Sequence, residues 1–367
     1  MILGRLLGIR IRIHPSWLLL FGLVALSLAQ GAFPLQVGGL SRQAYWVMGA
    51  LGALLVFASL LVHELAHAVV GRRCGLEVEE ITLFIFGGVA RLKSEPPTPG
   101  VEFKMTAVGP LSSFALSALF WWLGALAQPY SQAAAALLGY AALFNFVVAV
   151  FNLLPGFPLD GGRLLRATLW KITGDLVKAT RAASRMGMLL GYLLVLSGLL
   201  QVLSGSISGL WSVLIGSFVI SAAEQSYQQV LLQTSLGGVP ISRVMDVHPP
   251  VASPDLSLRE FVETFLMRSE YSVFPVLRDD RLLGMVGVEE VRQVAPERWQ
   301  EVRVEQVMTP VDERRVLSDR EDAWTAVRRM LASDVRRLLV MHEGHFRGVV
   351  TRDAVLKLIQ LKLQLPV

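Results

Sequence analysis

The sequence predicts a polytopic α-helical membrane protein: six transmembrane helices, a membrane-associated β-hairpin or loop, and a cytoplasmic α/β domain built from two repeats. Three observations predict it. The 367 residues are 53% hydrophobic and 17% charged with mean hydropathy +0.53, which excludes a disordered chain. Long charge-free stretches recur through the first 223 residues, and runs of that length cross a bilayer as helices. From about Ile241 the composition turns to that of a soluble domain and repeats, with Val244-Met245 recurring as Val307-Met308.

The elements follow in order. Arg5, Arg10 and Arg12 precede the apolar stretch Pro15–Phe33, which has the look of a signal peptide and is read here as a retained first helix. Ala44–Arg73 is the second span and ends in His63-Glu64-Leu65-Ala66-His67 before the basic pair Arg72-Arg73. Gly75–Lys104 holds no span; its β-like run Ile81–Phe86 and the glycines Gly87-Gly88 predict a hairpin or loop against the membrane. Met105–Ala127 and Ala133–Leu154 are the third and fourth spans. Asn152–Gly162 then breaks the helix with two prolines and three glycines, at Pro155-Gly156, Pro158 and Gly161-Gly162, irregular backbone that lipid tolerates only where protein or water covers it. Arg163–Arg185 predicts a basic helix along the membrane surface, and Met186–Ala223, turning near Ser204–Gly209, the fifth and sixth spans.

The charge pattern orients this model. Arg72, Arg73, Arg91, Lys93, Lys104, Arg163, Arg166, Lys171, Lys178, Arg181 and Arg185 fall on the side of the N-terminal arginines, and Arg42 alone falls on the other. Both termini are therefore expected in the cytoplasm of a multi-pass cell-membrane protein. The net charge of +5 reflects these loops, so no nucleic-acid partner is expected. One cysteine, Cys74, excludes an intramolecular disulfide and a cysteine-rich zinc cage. The domain boundaries expected are 1–225 for the membrane part, 226–240 for a linker, and 241–300 and 301–367 for the repeats. In the repeats Val276 corresponds to Val340 and Gly284 to Gly348.

The chemistry sits in the second span. On a helix His63 and His67 share one face, the spacing that lets two imidazoles hold one Zn²⁺. Glu64 lies beside them, where a carboxylate can act as general base. Three ionisable groups at membrane depth are costly and mark function. A catalytic zinc takes a third protein ligand, for which Glu77, Glu79, Glu80 and Asp160 are the candidates. Asp160 is preferred, because it follows a span that ends on the same side as the His63 helix.

His63–His67 together with Asn152, Pro155, Leu159, Asp160, Gly161 and Gly162 (H-E-L-A-H and N-x-x-P-x-x-x-L-D-G-G) resembles the site-2 protease family of intramembrane zinc metalloproteases. The C-terminal repeat resembles a tandem CBS pair, which places the chain with the six-helix, CBS-bearing branch. The resemblance implies one zinc held by His63, His67 and Asp160, with Glu64 as general base. It implies that Asn152, Gly87 and Gly88 position substrate, the last two within the membrane-inserted strand element Phe86–Ala90. The expected substrate is a single-span or membrane-associated regulator of the anti-sigma or pro-sigma factor type. The CBS pair would regulate, dock or dimerise. A CBS-regulated transporter or channel is the alternative, and Glu64 argues against it, since a transported ion needs ligands but no adjacent base. The CBS motifs are incomplete for adenine nucleotide: Glu290 is in place while glycine stands at Gly287, and Thr351 is in place while alanine stands at Ala354. Weak nucleotide binding at best is expected.

Overall fold

The computed structural model describes residues 2–84, 87–92, 95–269, 271–279 and 281–364, and divides into units 1–228 and 229–367. In the first unit β1 (Ile2–Leu6) and β2 (Ile9–Ile13) precede α1 (Pro15–Ser27), a π turn and α2 (Phe33–Gln36). Then come α3 (Arg42–Arg73), β3 (Val78–Phe84), β4 (Gly87–Leu92), α4 (Pro99–Ala127), α5 (Gln132–Asn152), α6 (Asp160–Thr173), α7 (Leu176–Leu203) and α8 (Gly209–Leu236). Among the described residues five helices are long and apolar enough to cross a membrane: Pro15–Gln36, Arg42–Arg73, Pro99–Ala127, Gln132–Asn152 and Leu176–Leu203. The sixth expected span lies in α8, which is not one of the five; its stretch from Glu224 to Gln229 is polar.

The helices are built inside out relative to a soluble bundle. Along α7 the buried positions are small (Ala179, Ala183, Gly187, Gly191, Gly198) while Leu193 and Leu196 stand more than half exposed at 54% and 55%. Small residues allow close helix approach where lipid supplies no hydrophobic drive between helices. Gly49 of α3 does the same against α1: a Cβ there would come within 2.5 Å of the Ala25 carbonyl oxygen.

The hairpin expected after the second span is present as β3–β4, with Phe86 outside the described residues. It belongs to a larger sheet than expected, ordered β1-β2-β3-β4, because the N-terminal segment folds as a hairpin and β2 runs parallel to β3. Ile9, Ile11, Ile81 and Leu83 from the two inner strands form one core with Leu65 and Ala68 of α3, which seats the sheet on the His63 helix. Two further readings change. The basic stretch Arg163–Arg185 is not one surface helix: Gly174 closes α6 at φ 71° and Asp175 caps α7 by accepting from the Lys178 amide at 2.9 Å. Lys178, Arg181 and Arg185 therefore begin the fifth apolar helix. The stretch expected as a linker, 226–240, is helical to Leu236, which is buried.

The second unit contains α9 (Leu258–Phe261), β5 (Val273–Arg278), β6 (Arg281–Gly287), α10 (Val288–Arg292), α11 (Val304–Val307) and β7 (Thr309–Pro310). Then follow β8 (Val316–Ser318), α12 (Ala323–Ser333), β9 (Arg337–His342), β10 (His345–Thr351) and α13 (Arg352–Gln364). The residues matched across the repeats are cross-strand partners within each hairpin, Val276 with Gly284 and Val340 with Gly348. The repeats exchange their leading segments. Ile241 and Val244 are buried with Leu317, Leu338 and Val350 of the second repeat, and Asp246 bridges to Val349. Reciprocally, Val304 is buried with Phe261, Phe274 and Val286 of the first, and Thr309 pairs with Met285.

Candidate metal centre

Three elements deliver the centre. The period of α3 puts His63 and His67 one above the other, and the loop Leu153–Leu159 delivers Asp160 as the first residue of α6. His63 Nε2 and His67 Nε2 are 3.2 Å apart and stand 3.1 and 3.2 Å from the same Asp160 Oδ2. These three are the one group of potential metal ligands found among the described residues, with all donor atoms within 4.8 Å of each other. His63 is buried and the other two are partly buried. Burial pushes the Asp160 carboxyl up, but hydrogen bonds with the His63 and His67 imidazoles outweigh it and hold the group well below the usual carboxylate range.

The outer nitrogens of both imidazoles are also engaged. His63 Nδ1 lies 2.9 Å from Ser113 Oγ, and His67 Nδ1 donates to the Met105 carbonyl at 2.8 Å. Both partners belong to α4. Such contacts fix ring orientation and tautomer and leave the Nε2 lone pairs toward the common point. Two imidazoles and one carboxylate with their second nitrogens satisfied make a donor set that fits zinc.

Glu64 lies next to this cluster and packs against β4. A Cβ on Gly88 would come within 2.9 Å of the Glu64 carboxyl carbon, so glycine is needed for the strand to pass this close. The D-G-G glycines allow the same close approach to the loop that precedes Asp160. A Cβ at Gly162 would stand 2.6 Å from the Gly156 carbonyl oxygen, and one at Gly156 would stand 2.6 Å from Gly187 of α7. The motif is thus a close-packing device that seats the Asp160 loop between α6 and α7.

The other expected site residues are placed as follows. Gly87 pairs with Phe84 at the start of β4. Asn152 closes α5, half-buried, and makes no hydrogen bond to His63, His67 or Asp160. Glu80 is buried and ion-paired with Arg12 at 3.1 Å, and neither Glu77 nor Glu79 joins the cluster. In the second unit Glu290 accepts from the Gly287 amide at 2.9 Å and from Thr309 Oγ1 at 2.8 Å, while Thr351 accepts from the Ala354 amide at 3.2 Å. Each caps its own helix.

Sequence reasoning missed the contribution of α4. Besides Met105 and Ser113, it supplies Gly109, where a Cβ would stand 2.8 Å from His63 Nε2 and closer still to His67. The available signal was Gly109-Pro110 inside a charge-free span, a pair that disfavours helix and so needs another reason to be there. Helix propensity alone predicts that Gly109→Ala stabilises α4 by about 1 kcal/mol. The expected result is the opposite for function: the variant folds but loses zinc, because its methyl group displaces both imidazoles. Zinc content per chain, measured beside circular dichroism, checks this, and wild-type zinc content refutes the packing argument.

Comparison with known proteins identifies the family. Residues 51–135 and 125–196 match the model of peptidase family M50, and residues 241–297 and 304–361 each match the CBS domain. A Mycobacterium tuberculosis protein named "Putative zinc metalloprotease Rip3" is 36% identical over 367 residues, covering 98% of this chain and 92% of that protein. The chain belongs to peptidase family M50. "Zinc metalloprotease MJ0392" of Methanocaldococcus jannaschii is 29% identical, covering 99% of this chain and 98% of that one. The solved site-2 protease from the same organism is 30% identical, with TM-score 0.45, and covers 62% of this chain and 94% of that structure. This M50 member is a zinc metallopeptidase of the site-2 protease type, a membrane protein carrying a CBS pair.

Proposed function

We propose that this M50 peptidase hydrolyses a peptide bond in or near the transmembrane segment of a membrane-associated regulatory protein. His63, His67 and Asp160 are its zinc ligands and Glu64 its general base. The observation that carries this reading is the convergence of two Nε2 atoms and one carboxylate oxygen beside Glu64. When bound, zinc supplies a Lewis acid that polarises the scissile carbonyl and lowers the pKa of water toward 7. Glu64 accepts the proton of the attacking water and delivers it to the departing amine. Asn152 serves as donor to the developing oxyanion or to the substrate backbone.

A substrate helix hides its carbonyls in its own hydrogen bonds, so it must unwind before attack. β4 is an outer strand of its sheet, with Gly87 and Gly88 at the end that packs on Glu64, and the freed substrate backbone adds along this edge. The reading retains six spans, with α8 as the sixth, and both termini in the cytoplasm, on the strength of the basic-residue distribution. The substrate is a single-span or membrane-associated protein of the anti-sigma or pro-sigma factor type. The CBS pair serves regulation, docking or homodimerisation.

Incubation of the purified full-length protein with single-span substrates tests the reading. Cleavage is expected, lost on zinc chelation and restored by added Zn²⁺. Cleavage that survives complete metal removal would sink the metallopeptidase mechanism for this site.

A further inference from the structure

Arg166 takes no part in the chemistry proposed above, yet it is the one Lys or Arg side chain that is buried among the described residues, at 4% exposure. It lies on α6, six residues beyond Asp160. Its Nε donates to Glu102 Oε1 at 2.7 Å, and its Nη2 donates to the same oxygen and also to Glu95 Oε2 at 3.3 Å. The guanidinium carbon lies 5.2 Å from the ring centroid of buried Phe157, in the loop that delivers Asp160.

These partners come from three places that bear on the metal centre. Glu102 is in the first turn of α4, whose following turns supply Met105, Gly109 and Ser113 to the two histidines. Glu95 stands three residues after the end of β4, the strand whose Gly88 packs on Glu64. Phe157 precedes Asp160 by three residues, and Arg166 shares its helix.

An ordinary stabilising ion pair does not account for the geometry. A buried Arg–carboxylate pair gains most from two parallel hydrogen bonds, one to each oxygen. Here both bonds to Glu102 fall on Oε1, Nη2 is shared with Glu95, and Oε2 is buried with no hydrogen-bond partner among the described residues. Apolar side chains of similar volume commonly serve stability at least as well as a buried ion pair. We infer that Arg166 is a positioning residue joining the substrate strand to the metal centre. Through Glu102 it sets the Asp160 helix against the helix that orients the histidines, and through Glu95 it ties the exit of β4 to that same helix. The inference rests on the proposed ligand set and on β4 as the substrate strand.

The test uses the full-length protein and two readouts, the rate of zinc loss to a chelator and the kinetics of cleavage of a single-span substrate. Arg166→Lys, which cannot bridge two carboxylates in this fork, and Glu102→Gln are expected to lose zinc several-fold faster than the wild type, less than the roughly 10–100-fold effect of partners bonded directly to metal ligands. Glu95→Gln is expected to release zinc at the wild-type rate and to raise KM with kcat unchanged. In the Arg166→Lys background, Glu95→Gln should add nothing further to KM. If Arg166→Lys does not fold, Glu102→Gln, which keeps the side-chain shape, carries the zinc readout. Wild-type zinc retention in Glu102→Gln, or a wild-type KM in Glu95→Gln, overturns the inference alone. A wild-type protein that holds no zinc overturns the ligand set, and the inference with it.

Discussion

Glu64→Gln is expected to abolish peptide hydrolysis while leaving zinc bound at the wild-type level. Glutamine fills the same space against Gly88 and leaves His63, His67 and Asp160 untouched. Its amide cannot take the proton from attacking water, and loss of a general base commonly costs on the order of 10²–10⁴ in rate. Metal content and cleavage rate on one preparation separate the two effects. A variant that cleaves at the wild-type rate removes Glu64 from the mechanism.

Asp160→Ala should lose zinc and activity together. The two imidazoles that remain make a weak site, and the carboxylate oxygen 3.1–3.2 Å from both is gone. The expected fall in metal affinity exceeds the roughly 10–100-fold typical of outer partners. Stoichiometric zinc in this variant would return the third ligand to Glu77, Glu79 or Glu80. Glu80 is the poorest of these, since Arg12 already neutralises it at 3.1 Å.

The convergence of His63, His67 and Asp160 was legible because ionisable residues are rare in an apolar chain, the two histidines share a helix face, and Asp160 follows a span that ends on the same side. The repeat was legible down to single residues, since Val276 and Gly284 do pair as Val340 and Gly348 do. The α4 contribution was not, because it consists of a backbone carbonyl, a hydroxyl and a missing side chain. None of these leaves a pattern within a charge-free run.

The N-terminal strands are readable in the alternation Ile9-Arg10-Ile11-Arg12-Ile13, a pattern masked by the arginines' other role as charges that orient the chain. Ile9 and Ile11 turn inward while Arg10 faces solvent, as a half-buried strand requires. The helix break at Gly174 was missed for a related reason. The basic residues on both sides of it form one continuous run in sequence, and only the left-handed glycine separates them.

The exchange of leading segments between the CBS repeats makes those repeats one cooperative body. Each hairpin is completed by chain from the other half, Asp246 on β10 and Thr309 on β6, so neither half closes its own core. Met285, Leu339 and Val349 add a shared contact between the hairpins. Local opening in one repeat therefore exposes apolar surface in the other, and the two melt as a single unit. A molecule that gripped either repeat would therefore alter the stability of both.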